Sequence, residues 1–245
     1  MTPDALESEL LPWQGNGWRL VEAQHLVSTL KLVDDLDEQS LLEEVIDGTK
    51  PPVPEECRHL DYLLSTPFRY GSPYPAGSRF RRAGLTDGVY YCSQTVETAV
   101  AEMAFYRLLF FSESPKIGFP DLAASYTALC AAISTERSVD LTVPPLVSHS
   151  AIWMHPTDYD ACQRFADTAR ALDADLIRYT SVRDPGRGAN LAVLRCRAFK
   201  KPAPIARQSW RLAITAHGVS ALCEAPRRRI SFPAELFAAD PRLVE

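Results

Sequence analysis

The residue with the clearest chemical potential is Glu102, which lies within the largely apolar segment TVETAVAEMAFYRLLFF, residues 95–111. Its neighbours at helical spacing, three and four positions away, are Thr98, Ala99, Phe105 and Tyr106. A carboxylate on such an apolar surface needs a partner, because an unpaired buried charge is costly. The residue pattern alone favours a structural ion pair with an arginine, and it leaves open a catalytic carboxylate.

A second group of polar residues lies in IRYTSVRDPGRGANLAVL, residues 177–194, where two apolar, strand-like runs flank a turn. The turn is rich in hydrogen-bonding side chains, namely Ser181, Arg183, Asp184, Arg187 and Asn190. Such a turn is typical of a solvated hairpin, and it is equally typical of one wall of an anion-binding site. The sequence leaves both interpretations open.

Arg79 opens a basic stretch within GSRFRRAG, residues 77–84, which has three arginines in four positions. Clustered arginines usually form a solvated face, but glycine and serine beside an arginine also let an anion approach the backbone. Tyr90 and Tyr91 follow in a strand-like segment, so their rings face opposite sides of it. We expect one ring in the core and the other in a cleft.

Several kinds of site are excluded because their motifs are absent. The sequence has no GxxxxGK[ST] phosphate loop, no GxGxxG fingerprint after a strand, no HExxH pair and no GxSxG elbow. Its six cysteines are far apart and include no CxxC pair, so we expect no metal site. Those in apolar runs, such as Cys130 and Cys223, predict buried, reduced thiols.

Composition bounds the class of protein. The 245 residues, 46% of them apolar, suffice for one large domain or for a domain with an appendage. The net charge of −5 argues against a nucleic-acid binder, so a non-catalytic nucleic-acid module built from residues 79–82 and 227–232 is a remote alternative. The N-terminus lacks signal-peptide regions, and no apolar run approaches the roughly 20 residues of a membrane span. We therefore expect a cytoplasmic protein without a membrane contact.

The elements that position the candidate residues begin with helices. Residues 95–111 predict a helix with Ser93 or Thr95 as its N-cap, directly after a strand-like segment. Residues 19–47 also show apolar residues at helical spacing, and the proline-rich stretch 50–56 predicts a linker after them. The N-terminal part of the chain is thus predicted to be helical.

Strands dominate the second half of the sequence. Residues 125–135 and 137–142 predict two successive strands, residues 177–194 predict a pair, and more strands follow after residue 208. A helix over 156–174, capped by Asp158, interrupts them. Because helices do not alternate regularly with strands, the pattern favours an α+β fold over a doubly wound parallel sheet.

Taken together, these segments resemble the RES domain family, which is named after its recurring Arg, Glu and Ser. The matching positions, in chain order, are Arg69, Gly77, Arg79, Tyr91, Thr98, Ala99, Glu102, Ser181, Arg183, Gly188 and Asn190. Their order and spacing over roughly residues 60–232 carry the resemblance, since no single motif is decisive. The resemblance implies a RES domain over 56–245, preceded by a helical extension over 1–55.

RES proteins are toxins of bacterial toxin–antitoxin pairs, with a fold similar to that of ADP-ribosyltransferases. The resemblance implies mixed, mainly antiparallel sheets with flanking helices. It implies an enzyme that breaks the nicotinamide–ribose bond of NAD+ by hydrolysis or phosphorolysis, depleting cellular NAD+, or alternatively one that transfers ADP-ribose to a protein. NAD+ is then a substrate, with no permanently bound cofactor, and the partner is an Xre-like antitoxin that blocks the site.

The resemblance also gives each candidate residue a role. Glu102 is the catalytic carboxylate, which stabilises the oxocarbenium character that develops on the ribose as the bond breaks. Arg69 and Arg79 supply forked cationic donors for the pyrophosphate, and Arg79 also counts among the catalytic residues. Tyr91, the third catalytic candidate, stacks on the nicotinamide ring.

The polar turn becomes a wall of the same site on this interpretation. Ser181 and Asn190 donate hydrogen bonds there, and Arg183 supports either the anionic end of the ligand or its own strand. All three are predicted to contact the bound NAD+.

Overall fold

A sheet of eight strands forms the centre of the molecule. The computed structural model describes residues 3–23, 32–71, 76–84 and 87–243. The strands are β1 (Leu11–Glu22), β2 (Tyr90–Ser93), β3 (Ala124–Asp140), β4 (Leu176–Thr180), β5 (Ala189–Val193), β6 (Ala206–Thr215), β7 (Gly218–Cys223) and β8 (Arg228–Pro233). The α-helices are α1 (Pro3–Glu7), α2 (Leu36–Thr49), α3 (Tyr62–Arg69), α4 (Val96–Ser112), α5 (Ser150–Trp153) and α6 (Asp160–Ala171).

The strand order is β1-β2-β5-β4-β3-β6-β7-β8, and β1 also pairs with β3. The pairings among β1, β2, β5, β4 and β3 therefore close into a ring, from which β6, β7 and β8 continue. The β3–β4 pair is parallel, and the other pairs are antiparallel. This arrangement confirms the predicted α+β class with a mainly antiparallel sheet.

Helix α4 is buried on most of its surface, as expected for a largely apolar sequence. It begins after Thr95, whose side chain accepts a hydrogen bond from the N–H of Thr98. The helix packs against β1, β6 and β7, and its buried side chains join those of the sheet in one core cluster. The predicted helix and its Thr95 cap are confirmed, and Glu102 lies in the middle of the helix.

The predicted helix over 19–47 is wrong at its start, because β1 extends to Glu22. Residues 14–22 pair continuously with β3, which gives the segment backbone partners that its spacing of apolar side chains does not reveal. Residues 24–31 of the predicted helix lie outside the described residues. Helix α2 confirms the later part of the predicted helix. The N-terminal portion thus adds a strand to the sheet, and the domain boundary at residue 55 stays a prediction.

Two other expectations need correction. Residues 125–135 and 137–142 belong mostly to one long strand, β3, because Glu136 continues the extended backbone between them. Helix α6 begins at Asp160 and has Tyr159 at its N-cap, while Asp158 accepts a hydrogen bond from the N–H of Asp160 at 3.0 Å.

No helix in the described ranges is long and apolar enough to cross a bilayer.

The prediction of reduced thiols, which was made for cysteines in apolar runs, does not extend to every cysteine of the chain. Cys57 and Cys196 form a disulfide with their Cα atoms 5.4 Å apart, although they are separated by 139 positions in the sequence. Only the fold brings them together, so the absence of a CxxC pair gave no hint of the bond. The other four cysteines, at 92, 130, 162 and 223, are free and buried, as predicted for Cys130 and Cys223.

Candidate active site

One face of α4 contacts the polar turn between β4 and β5 along its length. Thr98 donates from Oγ1 to Asp184 Oδ2 at 2.8 Å, and Glu102 accepts from Ser181 one turn later. Phe105, a further turn along, lies under the guanidinium of Arg183 at 4.1 Å from the ring centroid. The helix and the turn are therefore in register, and Glu102 lies at the centre of their contact.

The carboxylate of Glu102 is held through one oxygen. Its Oε1 accepts from Ser181 Oγ at 2.6 Å and from Asn190 Nδ2 at 2.5 Å. Both donors are buried and are themselves fixed: Ser181 Oγ accepts the N–H of Asp184 at 2.9 Å, and Asn190 Oδ1 accepts from Ser93 Oγ at 2.6 Å. Within the described part of the chain, no hydrogen bond is formed to Glu102 Oε2.

This geometry contradicts the structural ion pair that the residue pattern favours. Among the described residues Glu102 forms no ion pair, and its partners are a hydroxyl and an amide. The two neutral donors hold this carboxylate in a fixed orientation and leave its other oxygen without a partner among the described residues. It is therefore suited to interact with a positive charge brought by a ligand.

Two phenols share the surroundings of Glu102. Burial raises the pKa of Tyr179 well above its ordinary value, and the negative charge of Glu102 raises it further. The pKa of Tyr106 is also raised, first by desolvation and then by the charge of Glu102. Both phenols therefore remain protonated at neutral pH and add no second anion to the site.

Two of the three arginines predicted for the site, Arg79 and Arg183, are buried and contact the same segment. Arg79 donates to the carbonyl oxygens of Trp153 at 2.5 Å and His155 at 2.9 Å, and Arg183 donates to that of Pro156. Their side chains thus hold the segment 153–156 from within the protein. In this structure both forks bind backbone oxygens of the chain itself, so neither cation is open to solvent.

Arg183 has a second partner in the C-terminal part of the chain. Its Nη1 forms an ion pair with Asp240, and the two side chains are only 5% and 2% exposed. Arg242 donates to both carboxylate oxygens of the same Asp240 at 3.0 Å. The C-terminal segment thus lies directly against the wall of the candidate site.

An open cleft of about 700 Å³ is bordered by Ser181 and Arg183, whereas Glu102, Asn190 and Arg79 are not among the residues that line it. It is lined by Phe105, Ser150, Ala151, Met154, His155, Pro156, Ser181, Val182, Arg183, Asp184, Pro185, Arg187, Leu236, Phe237, Ala239 and Asp240. Arg187 is exposed, and within the described residues its side chain makes no hydrogen bond or ion pair. It is thus a cation at the cleft that is free to meet an anionic ligand.

A family model described as the RES domain matches residues 53–215, which is well over half of the chain. The chain belongs to the RES domain family. A similar solved structure is the Mycobacterium tuberculosis MbcT–MbcA toxin–antitoxin complex, with 12% identity over 97% of this chain and 95% of that one and a TM-score of 0.44. No curated protein sequence matches the chain.

Within the RES domain, Tyr91 supports the loop that carries Arg79. Its hydroxyl is 2.9 Å from Ser78 Oγ and accepts the N–H of Phe80 at 3.0 Å. Tyr90 lies on the opposite side of β2, fully buried, with its ring 5.1 Å from that of Phe199. The expectation of one core tyrosine is met by Tyr90, while stacking of Tyr91 on nicotinamide stays a prediction.

Arg69 lies apart from the other candidate residues of the RES domain. It ends α3, donates to the carbonyl oxygen of Pro51 at 2.7 Å and pairs with Asp47 of α2 at 3.1 Å. It does not line the cleft described above. The structure therefore brings Glu102, Ser181 and Asn190 into direct contact, and Arg79 and Arg183 both donate to the segment 153–156.

Sequence reasoning missed three contributors to this part of the RES domain. Phe105 is a helical neighbour of Glu102 and Arg187 is part of the polar turn, but the sequence pattern assigns neither residue to the site. Asp240 gave no signal, because its partner Arg183 is far away in the sequence and the C-terminal segment matches no motif.

Asp184 and Gly188 shape the turn that presents Ser181 and Arg187. The carboxylate of Asp184 accepts the N–H groups of Gly186 at 2.9 Å and Gly188 at 3.1 Å. A Cβ at Gly188 would overlap Thr98 Oγ1 and lie 2.7 Å from Asp184 Oδ2. Only glycine therefore allows the turn to approach α4 this closely.

Gly188→Ala is expected to destabilise the protein by about 1–3 kcal/mol, because overpacking forces the turn away from α4. Gly186→Ala is the matched control, since its nearest neighbour would be Asp184 Oδ1 at 3.3 Å, a side-chain atom that can adjust. Urea unfolding of both variants measures the difference. Equal midpoints would show that the contact between the turn and α4 does not constrain position 188.

Proposed function

We propose that this RES domain protein is a toxin that breaks the nicotinamide–ribose bond of NAD+, with Glu102 as the catalytic carboxylate. The observation that carries the proposal is how the two oxygens of that carboxylate are hydrogen-bonded. Ser181 and Asn190 hold its Oε1, and no donor in the described residues reaches its Oε2. Membership in the RES family supports the choice of NAD+ as the substrate.

The bond cleavage explains why a fixed carboxylate is needed. As the bond between the ribose C1″ and the nicotinamide nitrogen breaks, its electron pair moves to the nitrogen and neutralises the pyridinium charge. Positive charge then develops on the ribose, and a preorganised carboxylate stabilises it. The free Oε2 of Glu102 can also accept a hydrogen bond from a ribose hydroxyl. A nucleophile completes the reaction by bonding to C1″.

The anionic part of NAD+ needs cationic donors, and we assign Arg187 the first contact with the pyrophosphate. Its side chain is exposed at the cleft, whereas Arg79 and Arg183 bind the carbonyl oxygens of residues 153–156. Phosphate oxygens are stronger acceptors for a guanidinium than neutral carbonyl groups. Arg79 can therefore join the pyrophosphate contact where that segment gives way to the ligand, and Arg183 can do so through the donor that binds Pro156, while its other donor stays on Asp240.

Expression in bacteria tests the proposed function at the level of the cell. We expect the wild-type chain to lower cellular NAD+ and stop growth, and the Glu102→Gln variant to do neither. The products identify the acceptor: free ADP-ribose indicates water, ADP-ribose 1″-phosphate indicates phosphate, and modified protein indicates ADP-ribosyl transfer. Growth arrest with an unchanged NAD+ level would overturn the proposal.

The remote alternative, a nucleic-acid module, finds little support in the arginines that suggested it. Arg79 is buried, Arg82 pairs with Asp167 at 2.8 Å, and Arg228 forms an ion pair with Glu97. These pairings neutralise part of both basic stretches. The chain as a whole is acidic, with a net charge of −5.

A toxin that consumes NAD+ requires a partner that silences it, and we propose an Xre-like antitoxin that covers the cleft. Arg187 offers such a partner an unpaired cation at the cleft. A segment of the antitoxin that carries a carboxylate could pair with Arg187 and exclude NAD+ at the same time.

Arg187→Glu is expected to weaken the antitoxin complex at least about tenfold, because the substitution replaces attraction with like-charge repulsion. Arg229→Glu is the matched control, because Arg229 is also exposed and lies on β8 outside this cleft. Calorimetric titration of each variant with the antitoxin gives the dissociation constants. If both substitutions weaken the complex equally, or if neither weakens it, the antitoxin binds away from the cleft.

A further inference from the structure

The segment that follows β8 forms part of the candidate site although it lies outside the matched RES region, residues 53–215. It contains a 3-10 helix, Ala234–Phe237, and a turn that leads to Leu243. Four of its residues, Leu236, Phe237, Ala239 and Asp240, line the cleft. Phe237 packs against Phe105 of α4 with the ring centroids 5.7 Å apart. The segment is therefore fixed to the helix that carries Glu102.

Asp240 is the most constrained residue of this segment. Its Oδ1 accepts the N–H and Nε of Arg242 at 3.0 Å, and its Oδ2 accepts Nη2 of Arg242 and pairs with Arg183. Burial alone would raise the pKa of Asp240, but the hydrogen bonds from Arg242 and the charge of Arg183 lower it. Asp240 is thus a buried anion at neutral pH.

Arg183 is close to Glu102 in the hydrogen-bond network. The N–H of Arg183 donates to Ser181 Oγ at 3.2 Å, and the same hydroxyl donates to Glu102. The side chain of Arg183 nevertheless points to Asp240 and lies over Phe105. A guanidinium cannot deprotonate, so without Asp240 it would need another carboxylate, and that of Glu102 is linked to Arg183 through the hydroxyl of Ser181.

We infer that Asp240 is a positioning residue of the active site, which holds Arg183 in the cleft wall and away from Glu102. The inference rests on the proposed function, because it assigns Glu102 the catalytic role. With Arg183 bound to Asp240, Oε2 of Glu102 stays open for the substrate. With Asp240 neutralised, Arg183 pairs with Glu102 and weakens the stabilisation of the developing positive charge.

Asp240→Asn tests this arrangement, and Glu235→Gln is its matched control. Glu235 lies in the same segment, is exposed, and has no hydrogen-bond or ion-pair partner for its side chain among the described residues. We expect Asp240→Asn to lower kcat for NAD+ about 10- to 100-fold, as loss of an orienting partner typically does, with a smaller change in KM. Glu235→Gln is expected to retain both constants.

Two further variants separate positioning from a merely structural role. In a protein that already carries Arg183→Gln, Asp240→Asn is expected to lower kcat little further, because no guanidinium is left at position 183 to pair with Glu102. Arg242→Gln keeps the pair between Asp240 and Arg183 but removes the other partner of Asp240, so it is expected to lower kcat less than Asp240→Asn. It also provides a milder perturbation where Asp240→Asn does not fold.

The outcomes distinguish this inference from the proposed function. A wild-type chain that leaves NAD+ intact overturns both. A wild-type chain that consumes NAD+, together with an Asp240→Asn variant that equals Glu235→Gln, overturns the positioning role alone. The same follows where Asp240→Asn lowers kcat equally with and without Arg183, or where Arg242→Gln, which keeps the pair between Asp240 and Arg183, lowers kcat as much as Asp240→Asn does.

Discussion

Glu102→Gln is expected to lower kcat for NAD+ consumption by about two to three orders of magnitude, the range found when one preorganised electrostatic contact is removed from a site. The substitution removes the charge that stabilises the ribose as the nicotinamide leaves. The amide oxygen of glutamine can still accept from Ser181 and Asn190. The NH2 group of the glutamine takes the place of Oε2, and none of the described residues has a donor there that would face another donor. The loss is therefore expected in rate and not in folding.

Glu97→Gln is the control for this prediction. It makes the same chemical change on the same helix, at an exposed position whose ion pair with Arg228 lies on the surface and contributes little to stability. Steady-state kinetics and thermal unfolding of both variants separate the two effects. A folded Glu102→Gln protein with wild-type kcat would remove Glu102 from the chemistry.

Opening the bond between Cys57 and Cys196 is expected to lower the free energy of unfolding by about 2–4 kcal/mol, because a disulfide restricts the unfolded chain. The bond joins the segment before α3 to the segment after β5, across 139 positions of sequence. Urea unfolding with and without a reductant measures the effect. The Cys57→Ser, Cys196→Ser double variant is the control, because a reductant has no bond to open in it.

Thiol titration of the unfolded, unreduced protein provides an independent check of the same bond. Four reactive thiols are expected, one for each free cysteine. Six reactive thiols, together with unfolding curves that do not respond to the reductant, would contradict the disulfide.

The parts of the fold that the sequence predicted well have local signals. Helix α4 has an N-cap at Thr95 and a long apolar run, and the β4–β5 pair has a turn marked by Asp184 and Gly188. The start of the chain was predicted wrongly because its apolar spacing also suits a helix. The pairing of β1 with β3 depends on residues more than one hundred positions away, so no local pattern could reveal it.

The candidate site shows the same limit. The order of the motifs brought Glu102, Ser181 and Asn190 together as candidates, and the structure places them in contact. The partners of the arginines could not be predicted, because a backbone carbonyl has no sequence signature. The role of Asp240 depends on a buried pair that forms only when the C-terminal segment folds against α4.

Proton NMR of NAD+ mixed with the purified protein tests the central claim most directly, because it identifies the bond that breaks. We predict that the wild-type chain releases one nicotinamide for each NAD+ consumed, and that the Glu102→Gln variant releases almost none in the same time. Unchanged NAD+, or its conversion to AMP and nicotinamide mononucleotide by cleavage of the pyrophosphate, would contradict the account.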